Sequence, residues 1–235
     1  MKECKEEGRF EMLAKFLAGI LVLSVVTFIP GKDTHAEGSK DLLPVPEVGE
    51  DGMHVQDWFN DSFLNLSEDL EEAAGEGKRL LIVWEQRGCP YCKRMHEVNL
   101  RIPRVVDYIK RNFNVLQLNM WGDREVTDFD GEVLKEKELA TKYGVLFTPT
   151  FQFFPENLEK VAGKTGRQAE VLRIPGYFKP FHFYFLFQYA YNKGYEEQPN
   201  FQRWLSAVAE ELSEEGIKYD LWSDDLPAHL PEKYL

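Results

Sequence analysis

Cys89 and Cys92 are separated by two residues in the run Gly88-Cys89-Pro90-Tyr91-Cys92. Thiols at that spacing can alternate between a dithiol and a disulfide. The first thiolate attacks a partner's disulfide, and the second attacks the resulting mixed disulfide and releases the product. The unpaired N–H groups and dipole of a helix N-terminus stabilise a thiolate. Cys89, the exposed end of the motif, is therefore the expected nucleophile, and Cys92, one turn in, the resolving thiol. Pro90 stiffens the first turn and removes one donor, and Tyr91 completes the loop. Two other uses of the pair fit less well. A cross-link over so short a loop removes little chain entropy. A zinc site usually takes four ligands, and beyond His96, one turn after Cys92, no second C-x-x-C or nearby histidine supplies them. No metal is assigned, and His96 is expected to be a packed or hydrogen-bonded helix residue.

The elements that must position this pair follow from the flanking sequence. Leu80 to Trp84 is a short apolar, β-favouring run, as expected of a buried central strand, and Lys93 to Asn99 reads as the helix that the cysteines open. Ser67 is the expected N-cap of an earlier helix to about Ala74, with Glu68, Asp69, Glu71 and Glu72 on its solvated side. Pro103 to Asn112 predicts a second helix after the motif, with proline in its first turn, and Asn114 to Met120 a returning strand. Trp121 to Glu132 carries turn signals and reads as an inserted hairpin or loop. A helix over Leu134 to Tyr143, a strand from Thr148 to Phe154, a polar hairpin tip and a strand over Glu170 to Ile174 follow. Phe178 to Tyr195 holds nine aromatics in 18 residues, which predicts either a closing helix packed on the sheet or an exposed aromatic face for a protein partner. Pro199 to Glu215 is amphipathic, and the tail from Lys218 has no clear pattern. This order is an α/β pattern with a terminal hairpin.

Composition narrows the functional classes. The chain has 235 residues and a formal charge of −12, and so acidic a balance argues against nucleic acid, which needs clustered Lys and Arg. Phe16 to Ile29 is a 14-residue apolar run ending at Pro30-Gly31, and Thr34-His35-Ala36 offers a small-residue cleavage site. It reads as a secretory signal, shorter than the ~20 residues that span a bilayer comfortably, with an uncleaved anchor as the alternative. Glu3, Glu6, Glu7 and Glu11 balance the bases of this leader, and a start at Met12 would remove them. Export would discard Cys4, leaving Cys89 and Cys92 as the only cysteines of the mature protein.

Strand-Gly-Cys-Pro-Tyr-Cys-helix with Thr148-Pro149 opening a later strand resembles the thioredoxin superfamily. Glu85-Gln86, Lys93 to Glu97, Trp121 to Arg124, Pro175-Gly-Tyr and Lys179-Pro-Phe181 extend the resemblance to the exported thioredoxin-like proteins of bacterial sulfur oxidation, the SoxW type. It covers about Trp58 to Leu205. It implies a thioredoxin fold, with a central mixed β-sheet flanked by helices and a C-terminal helical extension. The expected organisation is a signal peptide or membrane anchor over 1–36, a linker over 37–57, the thioredoxin-like domain over 58–192 and the extension over 193–235. The resemblance places Cys89 and Cys92 on the redox pair, Pro149 on the cis proline beside it, Thr148 where backbone pairs with an extended substrate, and Gly176 on the glycine that keeps that groove open.

Two positions depart from the resemblance. The buried aspartate of ordinary thioredoxins falls on Val83, so the proton acceptor for Cys92 is sought at Glu85, on the same strand face; its other reading is a solvent-reaching carboxylate at the strand end. Gly88 stands where those proteins carry tryptophan, which leaves one rim of the groove bare. The expected function is thiol–disulfide exchange in the periplasm by a monomeric reductase without a cofactor. Its intervening pair resembles glutaredoxins, with potentials of roughly −200 to −230 mV. The resemblance implies a membrane electron donor of the CcdA type and cysteine-bearing clients among the sulfur-oxidation components. The rival expectations are a non-catalytic interaction module that holds a partner with the aromatic helix and the acidic surface and, third, a metal-binding C-x-x-C protein.

Overall fold

A computed structural model describes residues 42–235. The leader, Cys4 and the expected cleavage site lie outside the described residues. Among the described residues no helix is long and apolar enough to cross a membrane.

The fold is organised by one strand. β1 (Arg79–Glu85) is buried along its whole length, as its continuous apolar run requires. It lies between β2 (Phe113–Asn119), parallel to it, and β5 (Thr150–Phe153), antiparallel. β6 (Leu172–Pro175) pairs antiparallel with β5, giving the mixed order β2-β1-β5-β6. Side chains of a strand alternate between faces, and β1 sends its odd and even residues to two cores. Leu81 and Val83 pack with α3 (Pro103–Asn112), through Val105, Val106 and Ile109, and with α5 (Pro180–Tyr191). Leu80, Ile82 and Trp84 pack with α1 (Leu66–Gly75) and α4 (Glu136–Lys142) on the other face. Glu85 shares the parity of Val83 and so faces the layer that contains α2 (Pro90–Glu97). This is the expected thioredoxin fold, a mixed sheet with helices on both faces. After α5 the chain adds α6 (Gly194–Glu197) and α7 (Phe201–Glu214).

Several local expectations are corrected. Asn65, not Ser67, caps α1, its side chain accepting from the backbone N–H of Ser67 and Glu68. The helix therefore starts two residues earlier, and Asp69 turns inward and is buried rather than solvated. The hairpin after β2 consists of β3 (Glu125–Thr127) and β4 (Val133–Lys135), so Leu134 belongs to a strand and α4 begins at Glu136. The stretch read as a linker is packed from its first described residues. Leu43 and Arg101 exchange hydrogen bonds, Val55 N donates to Glu47 O, and Met53 is buried.

The aromatic stretch resolves in favour of packing. In α5 Phe187 contacts Phe113, Phe151 and Phe153 of the sheet edge to face. On its other side Phe185 and Tyr189 meet Trp204 of α7. From Phe183 to Ala190 no side chain of α5 is exposed, so this stretch of the helix presents no aromatic face to a partner. The patternless tail runs irregularly after Gly216 yet buries Leu226, Leu230 and Tyr234 in the same core.

Candidate active site

Cys89 caps α2 and is joined to Cys92 by a disulfide. The loop Gln86-Arg87-Gly88 leads out of β1, and Gly88 takes φ +70°, a left-handed conformation that favours glycine. The backbone N–H of Cys92 donates to Cys89 Sγ at 3.0 Å, and the Thr148 hydroxyl donates to the same sulfur at 3.3 Å. Thr148 O also stands 3.4 Å from that sulfur. These contacts cover Cys89, which is buried rather than exposed, while Tyr91 projects into solvent with 60% of its surface accessible.

Thr148 and Pro149, which stand just before β5 and not within it, are joined by a cis peptide bond. Pro149 O accepts from Gly176 N at 2.7 Å. Gly176 has φ +95°, and a Cβ there would meet nothing within 4 Å. Its backbone conformation, and not crowding, therefore calls for glycine. Three separate segments thus bring Cys89, Cys92, Thr148, Pro149 and Gly176 to one place.

Beneath α2 lies a buried polar chain with a determined direction. The Trp58 indole can only donate, and it donates to Gln56 Oε1 at 2.9 Å. Gln56 Nε2 therefore faces His96 Nδ1, 3.0 Å away, and makes that nitrogen an acceptor. The ring proton then sits on His96 Nε2, which donates to Glu85 at 2.9 and 3.1 Å. Gln117 Nε2 donates to the same carboxylate at 3.0 Å. Glu85 is 1% exposed and His96 0%, so Glu85 is no solvent-reaching strand end. Burial costs a polar group heavily unless its hydrogen bonds are met, and here the ring and the carboxylate both have partners.

The model of a thioredoxin-like domain matches residues 66–191. The chain belongs to this thioredoxin-like family. Among solved structures it is similar to a thioredoxin-fold protein from Helicobacter pylori, 22% identical over 67% of this chain and 93% of that one, with a TM-score of 0.46. It is also similar to a thioredoxin from Thermus thermophilus, 27% identical over 52% of this chain and 79% of that one, with a TM-score of 0.37. No curated protein matches the chain.

Sequence reasoning missed two neighbours of the thioredoxin-like site. His54 stacks on His96 with ring centroids 4.7 Å apart and planes 14° apart. Burial, and next the adjacent His96, hold His54 below the usual histidine range. One donor atom each of His54, Glu85 and His96 lies within 4.8 Å of the others, so the histidine absent near the motif in sequence comes from 42 residues upstream of His96. Both nitrogens of His96 are already engaged, and lone pairs of nearly parallel rings do not converge on one point. The cluster therefore reads as a hydrogen-bonded network. The second neighbour is Trp121, whose indole donates to Gln86 Oε1 at 2.6 Å. A tryptophan in a turn carries no sign of this tether.

Proposed function

We propose that the protein is a periplasmic thiol–disulfide oxidoreductase that reduces disulfides of client proteins. One observation carries this reading: a disulfide whose first sulfur caps a helix and receives two hydrogen-bond donors, from Cys92 N and Thr148 Oγ1. After reduction of the pair those donors face a Cys89 thiolate and stabilise it, together with the dipole of α2.

The reaction runs in two displacements. The Cys89 thiolate attacks one sulfur of the client disulfide, forming a mixed disulfide and expelling the other client sulfur as a thiolate. The Cys92 thiolate then attacks Cys89 Sγ, and the first client sulfur leaves as a thiolate. The client gains two electrons and the protein ends as the Cys89–Cys92 disulfide. Glu85 is the buried carboxylate on the α2 side of the sheet, and it takes the proton that Cys92 must lose. Thr148 and Gly176 border the place where the client chain lies, and Pro149 shapes it.

In the periplasm the two electrons must be replaced, and a membrane thiol donor of the CcdA type supplies them. The clients are cysteine-bearing proteins of sulfur oxidation, and the protein acts as a monomer. The resemblance in the motif supports this assignment.

The test is the reduction potential of the Cys89/Cys92 couple, with covalent partners of a Cys92→Ser variant identified from the same cells. A couple in the glutaredoxin range, roughly −200 to −230 mV, with sulfur-oxidation proteins trapped on Cys89, is expected. A protein without a reversible dithiol couple would overturn the reading.

A further inference from the structure

Among the described residues, several of the large apolar side chains that stand open to solvent sit on segments that adjoin the disulfide. Tyr91 lies between the cysteines at 60% exposure, Phe147 precedes Thr148 at 64%, and Trp121 is 65% exposed. Trp121 is the one that the neighbouring structure holds in place. It lies two residues after β2, and β2 runs parallel to β1, so the loops after both strands emerge at the same edge of the sheet. Met120 N donates to Glu85 O, Trp121 N to Asn119 Oδ1, and the indole to Gln86. Gln86 O in turn accepts from Cys89 N at 3.3 Å.

The loop is fixed from below by Glu136, in the first turn of α4. This carboxylate, 1% exposed, accepts from Asn119 N at 2.9 Å, from Arg124 Nη2 at 2.6 Å and from Arg124 N at 3.3 Å. Gly122 lies so close that a Cβ there would collide with Glu136 Oε2. Trp121 is thus a pre-positioned ring, held by hydrogen bonds with its face left to solvent. In the loop that the indole contacts through Gln86, Gly88 carries no side chain, and nothing stands within 4 Å of where its Cβ would be.

We propose that Trp121 is a specificity-determining residue that selects client disulfides flanked by large apolar side chains. The inference rests on the disulfide-exchange reading, which also fixes the occupant: a client whose sulfur is joined to Cys89 must lead its chain past the Gln86–Gly88 loop. On that side Trp121 supplies the contact surface and Gly88 leaves room for the client. A rigid aromatic ring binds an apolar side chain with little loss of conformational freedom.

The test uses the reduced protein and two peptides, each with one cysteine held as a disulfide to thionitrobenzoate. One has Leu and Phe beside the cysteine, the other Ser and Glu. Glutathione disulfide serves as a third, flank-free substrate for the wild type. Wild type should react with the apolar peptide about tenfold faster than with the polar one. Trp121→Ala should bring that ratio near one, and Trp121→Phe should restore much of it. A wild-type ratio near one, or a Trp121→Ala variant that keeps the wild-type ratio, overturns the inference and leaves the exchange reading standing. Equal slowing of both peptides keeps the ratio and so overturns it as well. No reaction of wild type with any of the three disulfides overturns the exchange reading itself.

Discussion

Glu85, at the end of the central strand, and His96, in the helix that carries the cysteines, meet at 2.9 Å with both side chains buried. Residues four apart on a helix share a face, so His96 sits one turn below Cys92 and ties the redox helix to the sheet. The polarity set by Trp58 and Gln56 makes Glu85 the acceptor end of the chain.

Replacing Glu85 by Gln keeps an oxygen for His96 Nε2–H but removes the proton acceptor. In single-turnover reduction of a client the variant should form the mixed disulfide at the wild-type rate. It should then resolve the mixed disulfide about tenfold or more slowly near neutral pH. The deficit should shrink as pH rises and Cys92 ionises without help. Unchanged resolution across the pH range would remove Glu85 from the reaction. His96→Phe is the structural counterpart, because it leaves the buried carboxylate with Gln117 alone and should cost about 3 kcal/mol of stability.

The two cysteines should differ in kind. Cys92→Ser is expected to accumulate covalent complexes through Cys89 that dithiothreitol releases, whereas Cys89→Ser should accumulate none, since Cys92 is 1% exposed behind its partner. Non-reducing electrophoresis of both variants after exposure to a disulfide-bonded client reads this directly. Equal trapping by the two variants would contradict the assignment of roles.

What the sequence made legible is what local pattern encodes. The apolar run from Leu80 to Trp84, the proline-led helix Pro103–Asn112 and the C-x-x-C at a helix start all stand where their periodicity and caps place them. Glu85 could be picked out because strand parity puts it on the face of Val83. The rest depends on pairs that meet only in three dimensions. His54 and Gln56 reach His96 from a stretch whose Gly, Pro and acidic residues look like a linker. Asp69 looks like one member of a charge run, and only its helix's packing turns it inward. Leu226, Leu230 and Tyr234 are spaced without helical or strand period because they dock singly from an irregular chain.

Asp69 gives stability a measurable pH dependence. Burial raises its carboxyl to about 6 against an ordinary 3.8, partly offset by a hydrogen bond with Ser62. Beyond that bond, Asn60 donates to Oδ1 at a long 3.5 Å. An acid with a raised folded pKa binds its proton more tightly in the folded state. Its contribution therefore lowers stability as pH rises from about 4 through 6, with the full cost present above that window. Asp69→Asn should raise stability at pH 8 by about 2 kcal/mol and change little at pH 4. Urea unfolding at the two pH values decides it, and equal effects at both would refute the burial argument.

The tail should contribute through burial and not through its ion pairs. Tyr234 is 9% exposed, packs edge to face on Phe185 at 5.3 Å and donates its hydroxyl to Glu211 at 2.6 Å. Its backbone oxygen accepts from Tyr184 Oη at 2.5 Å and Gln188 Nε2 at 2.9 Å, two polar groups buried in the aromatic helix. Truncating the side chain leaves a cavity against Phe185, so Tyr234→Ala should cost about 3 kcal/mol. Asp224, in the same tail, pairs with Arg94 at 2.9 Å and Lys179 at 2.6 Å. Half of its side chain is open to solvent, where water and salt screen such pairs. Asp224→Ala should therefore cost less than about 1 kcal/mol. Denaturant midpoints of the two variants at constant slope rank them, and a larger loss for Asp224→Ala would mean that the tail is anchored to the redox helix by charge.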